Sequence, residues 1–361
     1  MKFDFVIGNP PYHEEVEGND KGKPLYNYFY DEAEKIADCY EFISPGRFLF
    51  NAGMTSKKWN EKMLNDKHFK VLQYMSDSKE AFPNTDIKGG VAITFRNANE
   101  EYQAIEEFIV DENLRNIVQK VKSNDSESIS NYMYGGRADL KFNDYFLNKF
   151  PNYVSDRIKA TQVKHPTVTS LPPGEEYEIR NRIFEDAPYI FSSDFPAEEK
   201  EEYYKILGLY KSNREYRWIK KEYLIIRYPE NNNIFDYKVY ISKASGTGAF
   251  GEKIGEPVIG YPGEFSTPTF IGIGKFNKKI EAINASKYLK TRFVRALLSV
   301  LKITQDIVPT KFKYVPMQDF SDNSDINWNV SISDIDNQLY KKYDLSENEI
   351  VFLLNNVKEM E

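Results

Sequence analysis

Apolar and polar positions follow two rhythms in the first hundred residues. Phe3, Phe5, Val6 and Ile7 form a short apolar run of the kind that makes a buried strand, and Gly8 ends it. From Pro24 to about Ala37 the spacing turns helical: Tyr26, Phe29, Ala33, Ile36 and Ala37 recur between Asp31, Glu32, Glu34 and Lys35. The segment 40–50 predicts a second strand interrupted at Pro45-Gly46. A helix follows over 56–64, with Ser56 as N-cap and Trp59, Met63 and Leu64 on one face. Phe69 to Tyr74 predicts a third strand, and Val91, Ile93 and Phe95 alternate as a fourth behind Gly89-Gly90, where a bulge or close backbone approach is expected.

Further on the pattern loosens. A charged stretch over 100–122 contains a helix-like run from Leu114 to Val121. The Ser/Asn-rich segment 123–131 after it reads as a domain transition. Strands are expected to dominate 132–320, with clear cases at Tyr223 to Tyr228, Tyr237 to Ile241 and Thr267 to Gly274. One helix is expected over 286–302, with Tyr288, Leu289, Phe293, Leu297, Leu298 and Leu301 inward and Lys287, Lys290, Arg292 and Arg295 on its other faces. Two short helices close the chain, the second opened by a capping box of Ser346 and Glu349.

A chain of 361 residues is long enough for two domains with real cores. No apolar run approaches a membrane span, and the N-terminus lacks the basic start and apolar stretch of a signal peptide. The single cysteine, Cys39, excludes an internal disulfide framework and fits a reducing cytoplasm. His13, His68 and His165 are scattered without metal-ligand spacing, so no metal is expected. Net charge is −7, yet it is segregated: ten Lys or Arg stand against Glu281 and Asp306 between Pro268 and Val315, while 100–112 and 194–202 are acidic.

The stretch with chemistry is Asn9-Pro10-Pro11-Tyr12. Two prolines restrict the backbone directly after the first strand, which presents Asn9 and Tyr12 at its carboxyl end, the edge where open parallel α/β sheets bind ligands. This tetrapeptide resembles the motif of methyltransferases acting on a planar amino or amide nitrogen, above all the N6-adenine DNA methyltransferases of restriction–modification systems, TaqI-like enzymes among them. The resemblance implies that Asn9 and the Pro10 carbonyl accept the two amino hydrogens of an extruded adenine, with Tyr12 stacking on the base. Phe82, in a Phe-Pro pair before the hairpin strand, matches the position that covers the other face of the base. The polar segment from His13 to Lys23 matches a loop that closes over it. Leu25-Tyr26-x-x-Phe29 matches a helix beside the cofactor pocket. The resemblance thus assigns catalysis to Asn9, Pro10, Pro11, Tyr12 and Phe82, and contact with S-adenosylmethionine to Asn9, Pro11, Tyr26 and Phe29.

What the resemblance implies for the whole is an α/β chain in three parts. Residues 1–110 correspond to the second half of a Rossmann-like methyltransferase sheet. Residues 111–320 correspond to a mixed α+β target-recognition domain, and 321–361 to a helical closing segment. Lys243, Lys253, Lys275, Lys278 and Arg292 are candidates for phosphate contacts with double-stranded DNA. In the family a Gly-rich cofactor turn precedes Asn-Pro-Pro-Tyr. Here eight residues precede Asn9, and Gly246-x-Gly248 leads into no helix. A separate cofactor-binding half, or another restriction–modification subunit, is therefore an expected partner, and the Phe3–Ile7 strand is expected to be poorly buried without it. Two other classes stay open: a DNA-binding fragment without catalysis, and a glutamine-amide methyltransferase acting on protein.

Overall fold

The computed structural model describes residues 3–14, 22–85, 87, 89–124, 126–134, 140–194, 198, 200–302 and 304–361. It divides into two compact units, Met1–Glu112 and Asn113–Glu361.

Unit 1 is one four-stranded sheet with helices on a single face. Its elements run β1 (Phe3–Gly8), α1 (Tyr26–Ile36), β2 (Ala37–Pro45), α2 (Lys57–Asn65), β3 (Phe69–Met75) and β4 (Val91–Asn97). The strands lie in the order β1-β2-β4-β3. β1 and β2 are parallel, with Val6 opposite Tyr40 and Gly8 opposite Phe42. β4 is antiparallel to both its neighbours. The strand expected over 40–50 stops at Pro45, and Gly46–Phe50 coil into a 3-10 turn closed by Asn51 in the left-handed region. Ser56 caps α2 by accepting from the Trp59 N–H at 3.2 Å.

The inward stripe of α1 is Tyr26, Tyr30 and Ala33; Phe29 and Ile36 lie outside it, 44% and 37% exposed. Tyr30 takes the central place because its ring is apolar and its hydroxyl finds partners. The ring meets Tyr40, Phe42, Phe48, Trp59 and Phe69 at 5.1–6.3 Å between centroids. Its hydroxyl is bonded to Ser44 Oγ at 2.9 Å and Thr94 Oγ1 at 2.6 Å. Tyr30→Phe removes a hydrogen-bond partner of the Ser44 hydroxyl, which is fully buried, and is expected to destabilise unit 1 by about 1–2 kcal/mol in urea unfolding. An unchanged midpoint would show that the hydroxyl contributes nothing.

On the other face of the sheet the side chains of β1 stand open. Phe3, Phe5 and Ile7 are 50%, 45% and 73% exposed, and Phe5 stacks on Phe95 of β4 at 6.1 Å. β1 is an edge strand with one hydrogen-bonded neighbour among the described residues. The buried environment that its apolar run predicts is absent, and poor burial of this strand is what the structure shows.

Unit 2 begins with α3 (Glu112–Ser123), β5 (Met133–Tyr134), β6 (Leu140–Phe142), α4 (Asp144–Lys149), α5 (Tyr153–Gln162) and α6 (Ile183–Asp186). Then come β7 (Tyr203–Tyr210), β8 (Asn213–Lys220), β9 (Leu224–Ile226), β10 (Tyr237–Ser242), β11 (Val258–Gly260), β12 (Glu264–Ser266) and β13 (Phe270–Phe276). It ends in α7 (Lys279–Lys290), α8 (Arg292–Leu301), α9 (Ile332–Lys342) and α10 (Glu347–Asn356). The strands form three sheets, β11-β10-β13-β5, β12-β7-β8 and β6-β9. One core gathers Phe142, Phe146, Tyr153, Phe184 and Ile206, with the Phe142 and Phe146 rings stacked at 3.8 Å.

The single helix expected over 286–302 is two. Thr291 breaks it, accepting from the Val294 N–H at 3.2 Å as the N-cap of α8. The residues from 321 onward pack into unit 2: Phe293 stacks on Tyr343 at 4.9 Å, and Asp336 of α9 accepts the N–H groups of Arg292 and Phe293. Burial pushes the Asp336 carboxyl up to about 6 despite those two N–H groups and the nearby Arg292 and Arg295. A carboxyl raised by folding binds its proton more tightly in the native state. Its contribution to stability therefore grows as pH falls through about 6 and is complete below 3.8, on the order of 3 kcal/mol. Asp336→Asn is expected to flatten that part of the stability profile between pH 7 and 5; an unaltered profile would assign the dependence elsewhere.

Candidate active site

β1 and β2 are parallel, so the chain leaves both at the same edge of the sheet, one into Asn9-Pro10-Pro11-Tyr12 and the other into the Gly46–Phe50 turn. Asn9 and Pro11 are exposed, Pro10 is buried and Tyr12 is half-buried. The Tyr12 carbonyl accepts the Leu25 N–H at 3.1 Å, and the Glu14 N–H donates to the Lys23 carbonyl at 2.9 Å. These bonds, with a bridge between His13 and Pro24, tie the motif to the start of α1. Residues 15–21, most of the expected closing loop, lie outside the described residues.

Tyr12 and Phe82 are brought together from 70 positions apart. Their centroids are 6.4 Å apart and their planes meet at 71°, an edge contact instead of two facing walls. A base held flat between them needs the planes turned parallel, with a van der Waals layer of about 3.5 Å on either side. The Tyr12 hydroxyl is buried and has no hydrogen-bond partner among the described residues. Burial pushes its pKa up to about 12, so it stays a neutral donor at any physiological pH.

Phe82 owes its position to Ser78, a residue the sequence pattern did not single out. Ser78 Oγ donates to the Thr85 carbonyl at 2.8 Å and accepts the Ile87 N–H at 2.8 Å; its own carbonyl takes the Phe82 N–H at 2.8 Å. Asp77 caps the same turn through the Lys79 N–H at 3.0 Å. The pair Asp77-Ser78, two cap-forming residues in sequence, was the available signal.

Arg47, at the same edge, was also passed over. Gly53 and Gly89, both with positive φ, lie against its stem; a Cβ on Gly89 would come within 2.5 Å of Arg47 Cγ. The guanidinium favours an ionised Tyr26 hydroxyl, but burial outweighs it and the Tyr26 pKa is raised.

The residues assigned to the cofactor divide. Tyr26 is only 3% exposed, its ring packed against Phe48 and Trp59. Asn9, Pro11 and Phe29 remain accessible. No group of three His, Cys, Asp or Glu that could hold a metal occurs among the described residues.

The five basic candidates of unit 2 also separate. In the antiparallel pair β10 and β13, Ser242 lies opposite Phe270 and Tyr237 opposite Phe276. Lys243 therefore stands at one end of that sheet and Lys275 and Lys278 at the other. Lys253 is exposed, and Lys278 reaches Asp322 at 3.2 Å. Arg292 is directed inward to the Val357 carbonyl and to Glu359, both at 3.2 Å, with 12% of its side chain exposed. Arg295, expected on an outer face of its helix, is 1% exposed and donates to the carbonyls of Lys290, Gly251, Glu252 and Lys358.

Residues 1–82 match the family model described as Eco57I restriction-modification methylase. A protein of Mycoplasma pneumoniae described as an uncharacterized adenine-specific methylase is 32% identical over 95 residues, covering 25% of this chain and 22% of that protein. The chain thus spans about a fifth of that relative's length. Among solved structures, the Type IIL restriction-modification enzyme MmeI in complex with DNA aligns with 98% of this chain and 56% of its own, at 11% identity and a TM-score of 0.30, too distant to support a structural argument. No helix among the described residues is long and apolar enough to cross a membrane.

Proposed function

We propose that this chain carries the amino-group-binding motif and the DNA-recognition region of an S-adenosylmethionine-dependent DNA adenine-N6 methyltransferase of a restriction–modification system. The observation that supports it most is Asn9 itself: accessible, at the carboxyl end of a parallel strand, and three residues before Tyr12, whose ring meets that of Phe82. The match of residues 1–82 to a restriction-modification methylase model points the same way.

The chemistry asks little of acids and bases. An adenine amino nitrogen is a weak nucleophile because its lone pair is delocalised into the ring. The Asn9 side-chain amide oxygen and the Pro10 backbone carbonyl accept its two hydrogens, which localises the lone pair on nitrogen and aims it. Tyr12 and Phe82 turn parallel around the extruded base and keep it in plane. S-adenosylmethionine supplies an electrophilic methyl on sulfur. Asn9, Pro11 and Phe29 form this chain's side of its cleft. The other side comes from a cofactor-binding half whose strand pairs with the free edge of β1, which would put Asn9 at a crevice between two strands of one sheet.

Calorimetric titration of S-adenosylmethionine into the purified chain tests this division. No detectable binding alone, with binding and N6-methyladenine formation once a cofactor-binding half is added, is the expected pair of results. Micromolar binding by the chain alone would mean that it completes the cleft itself. Absence of methylation in both settings would favour a DNA-binding fragment without catalysis, a reading to which the buried Tyr26 lends some weight.

A further inference from the structure

The ten cations between Pro268 and Val315 do not form one face. Arg295 and Lys302 are buried. Lys287 donates to the Trp328 carbonyl, Lys290 pairs with Glu256, and Arg292 pairs with Glu359. These side chains tie α7 and α8 to the rest of unit 2. The turn from β13 into α7 is different, because its lysines stand among tyrosines at the surface. Lys279 Nζ lies 5.3 Å above the ring of Tyr261, and Tyr261 meets Tyr237 edge-on at 5.8 Å. Lys275 Nζ lies 4.9 Å above the ring of Tyr134.

Sheet register explains the gathering. Tyr237 opens β10 opposite Phe276, Lys238 lies opposite Gly260 just before Tyr261, and Tyr134 of β5 pairs with Gly272. Four segments from distant parts of the sequence thus deliver cations and rings to one end of one sheet. Tyr261 is 39% exposed and Lys279 is exposed. Acidic groups nearby are partly engaged: Glu281 accepts the N–H groups of Asn277 and Lys278, and Asp322 pairs with Lys278. Asp236 and Glu230 also border the patch, with the Glu230 carbonyl accepting from Lys275 at 3.3 Å.

We propose that this end of the sheet, Lys275 and Lys279 with Tyr134, Tyr237 and Tyr261, is the surface by which unit 2 grips the backbone of duplex DNA. The inference rests on the DNA reading above and narrows it, setting aside Arg292 and the opposite end of the sheet around Lys243 and Lys253. Ammonium groups supply phosphate contacts, while tyrosine rings pack on sugars and their hydroxyls donate to phosphate oxygens. Such contacts hold register without reading sequence, so a duplex of any sequence suffices to detect them.

The test is fluorescence anisotropy of a labelled mixed-sequence duplex of about 30 base pairs, titrated with the full chain at several salt concentrations. Lys275→Ala/Lys279→Ala is expected to lower affinity roughly tenfold at 0.1 M salt. It should also make the slope of log affinity against log salt shallower by about 1.8, two contacts at about 0.9 each. Tyr261→Ala is expected to lower affinity with the slope unchanged. Wild-type affinity and slope in the double variant would overturn the proposal, and so would their loss in Lys253→Ala alone, which would place the grip at the other end. Failure of the wild-type chain to bind the duplex at all, with an acidic polypeptide such as polyglutamate binding instead, would sink the DNA reading itself. Lys253, Tyr261 and Lys279 are exposed and Lys275 is half-buried, and near-ultraviolet circular dichroism checks that each variant keeps its fold.

Discussion

Asn9→Ala is expected to lower methyl transfer to DNA by on the order of 10²–10³-fold while leaving the melting temperature of unit 1 essentially unchanged. The two parts of that expectation come from different facts. Asn9 is exposed and follows the last residue of β1, so unit 1 does not need its side chain for packing, and surface substitutions of that kind usually stay within about 0.5 kcal/mol. The acceptor oxygen it provides, by contrast, is half of what would hold the amino group for attack. Asn9→Asp keeps an acceptor in the same place and is expected to retain more activity than Asn9→Ala. The measurement is N6-methyladenine released from DNA after incubation with S-adenosylmethionine, with a cofactor-binding half present if the chain alone is silent. Transfer at the wild-type rate by Asn9→Ala would remove Asn9 from the chemistry, whatever else the motif does.

Glu252→Ala is expected to destabilise unit 2 by about 3–5 kcal/mol, the largest single effect on stability among the substitutions considered. Lys302 is 3% exposed and its ammonium is paired with Glu252. The same carboxylate accepts the N–H of Thr247 at 2.7 Å and of Gly248 at 2.9 Å. Gly246 makes this possible: its φ is +68°, and a Cβ there would stand 2.2 Å from the Glu252 carboxyl carbon. Removing the carboxylate strands a buried cation and takes an acceptor from the Thr247 and Gly248 N–H groups. Glu252→Met combined with Lys302→Leu removes both charges and is expected to recover a large part of the loss. Burial alone would raise the Glu252 pKa, but Lys302 and the two N–H groups outweigh it and hold the carboxyl at about 2. A carboxyl lowered by folding stabilises above its unfolded value and loses that contribution as pH falls from 4.5 towards about 2, so the pair persists through mild acid. Calorimetric unfolding of the variants reads all of this. A loss below about 1 kcal/mol for Glu252→Ala would mean that Lys302 finds water or another acceptor.

What could be read from the sequence was local chemistry. Ser56 and Ser346 cap their helices as expected, because a cap is written within four residues. The strand–helix–strand order of the first hundred residues followed from the spacing of apolar positions, whereas Phe82 was singled out only by the family resemblance, and the structure sets its ring edge-on to Tyr12. What was missed depends on partners far along the chain. Arg295 and Lys302 look like surface cations on an amphipathic helix, and only Gly251, Glu252 and Lys358, between 43 and 63 residues away, draw them inward. The break at Thr291 is hidden because apolar residues on either side keep a helical spacing across it. In α1 the inward stripe centres on Tyr30, a residue whose polar hydroxyl disguises a core position until Ser44 and Thr94 supply its bonds.

The bare edge of β1 has a consequence for the protein as a material. A strand with one sheet neighbour among the described residues, and Phe3, Phe5 and Ile7 displayed beside its other edge, is a template for adding any other strand, including that of a second copy. Light scattering of the isolated chain is therefore expected to rise with concentration, and Ile7→Lys to suppress the rise. A polypeptide that pairs with this edge would act as a solubiliser, so the yield of soluble chain on co-expression reports on the match before any reaction is assayed.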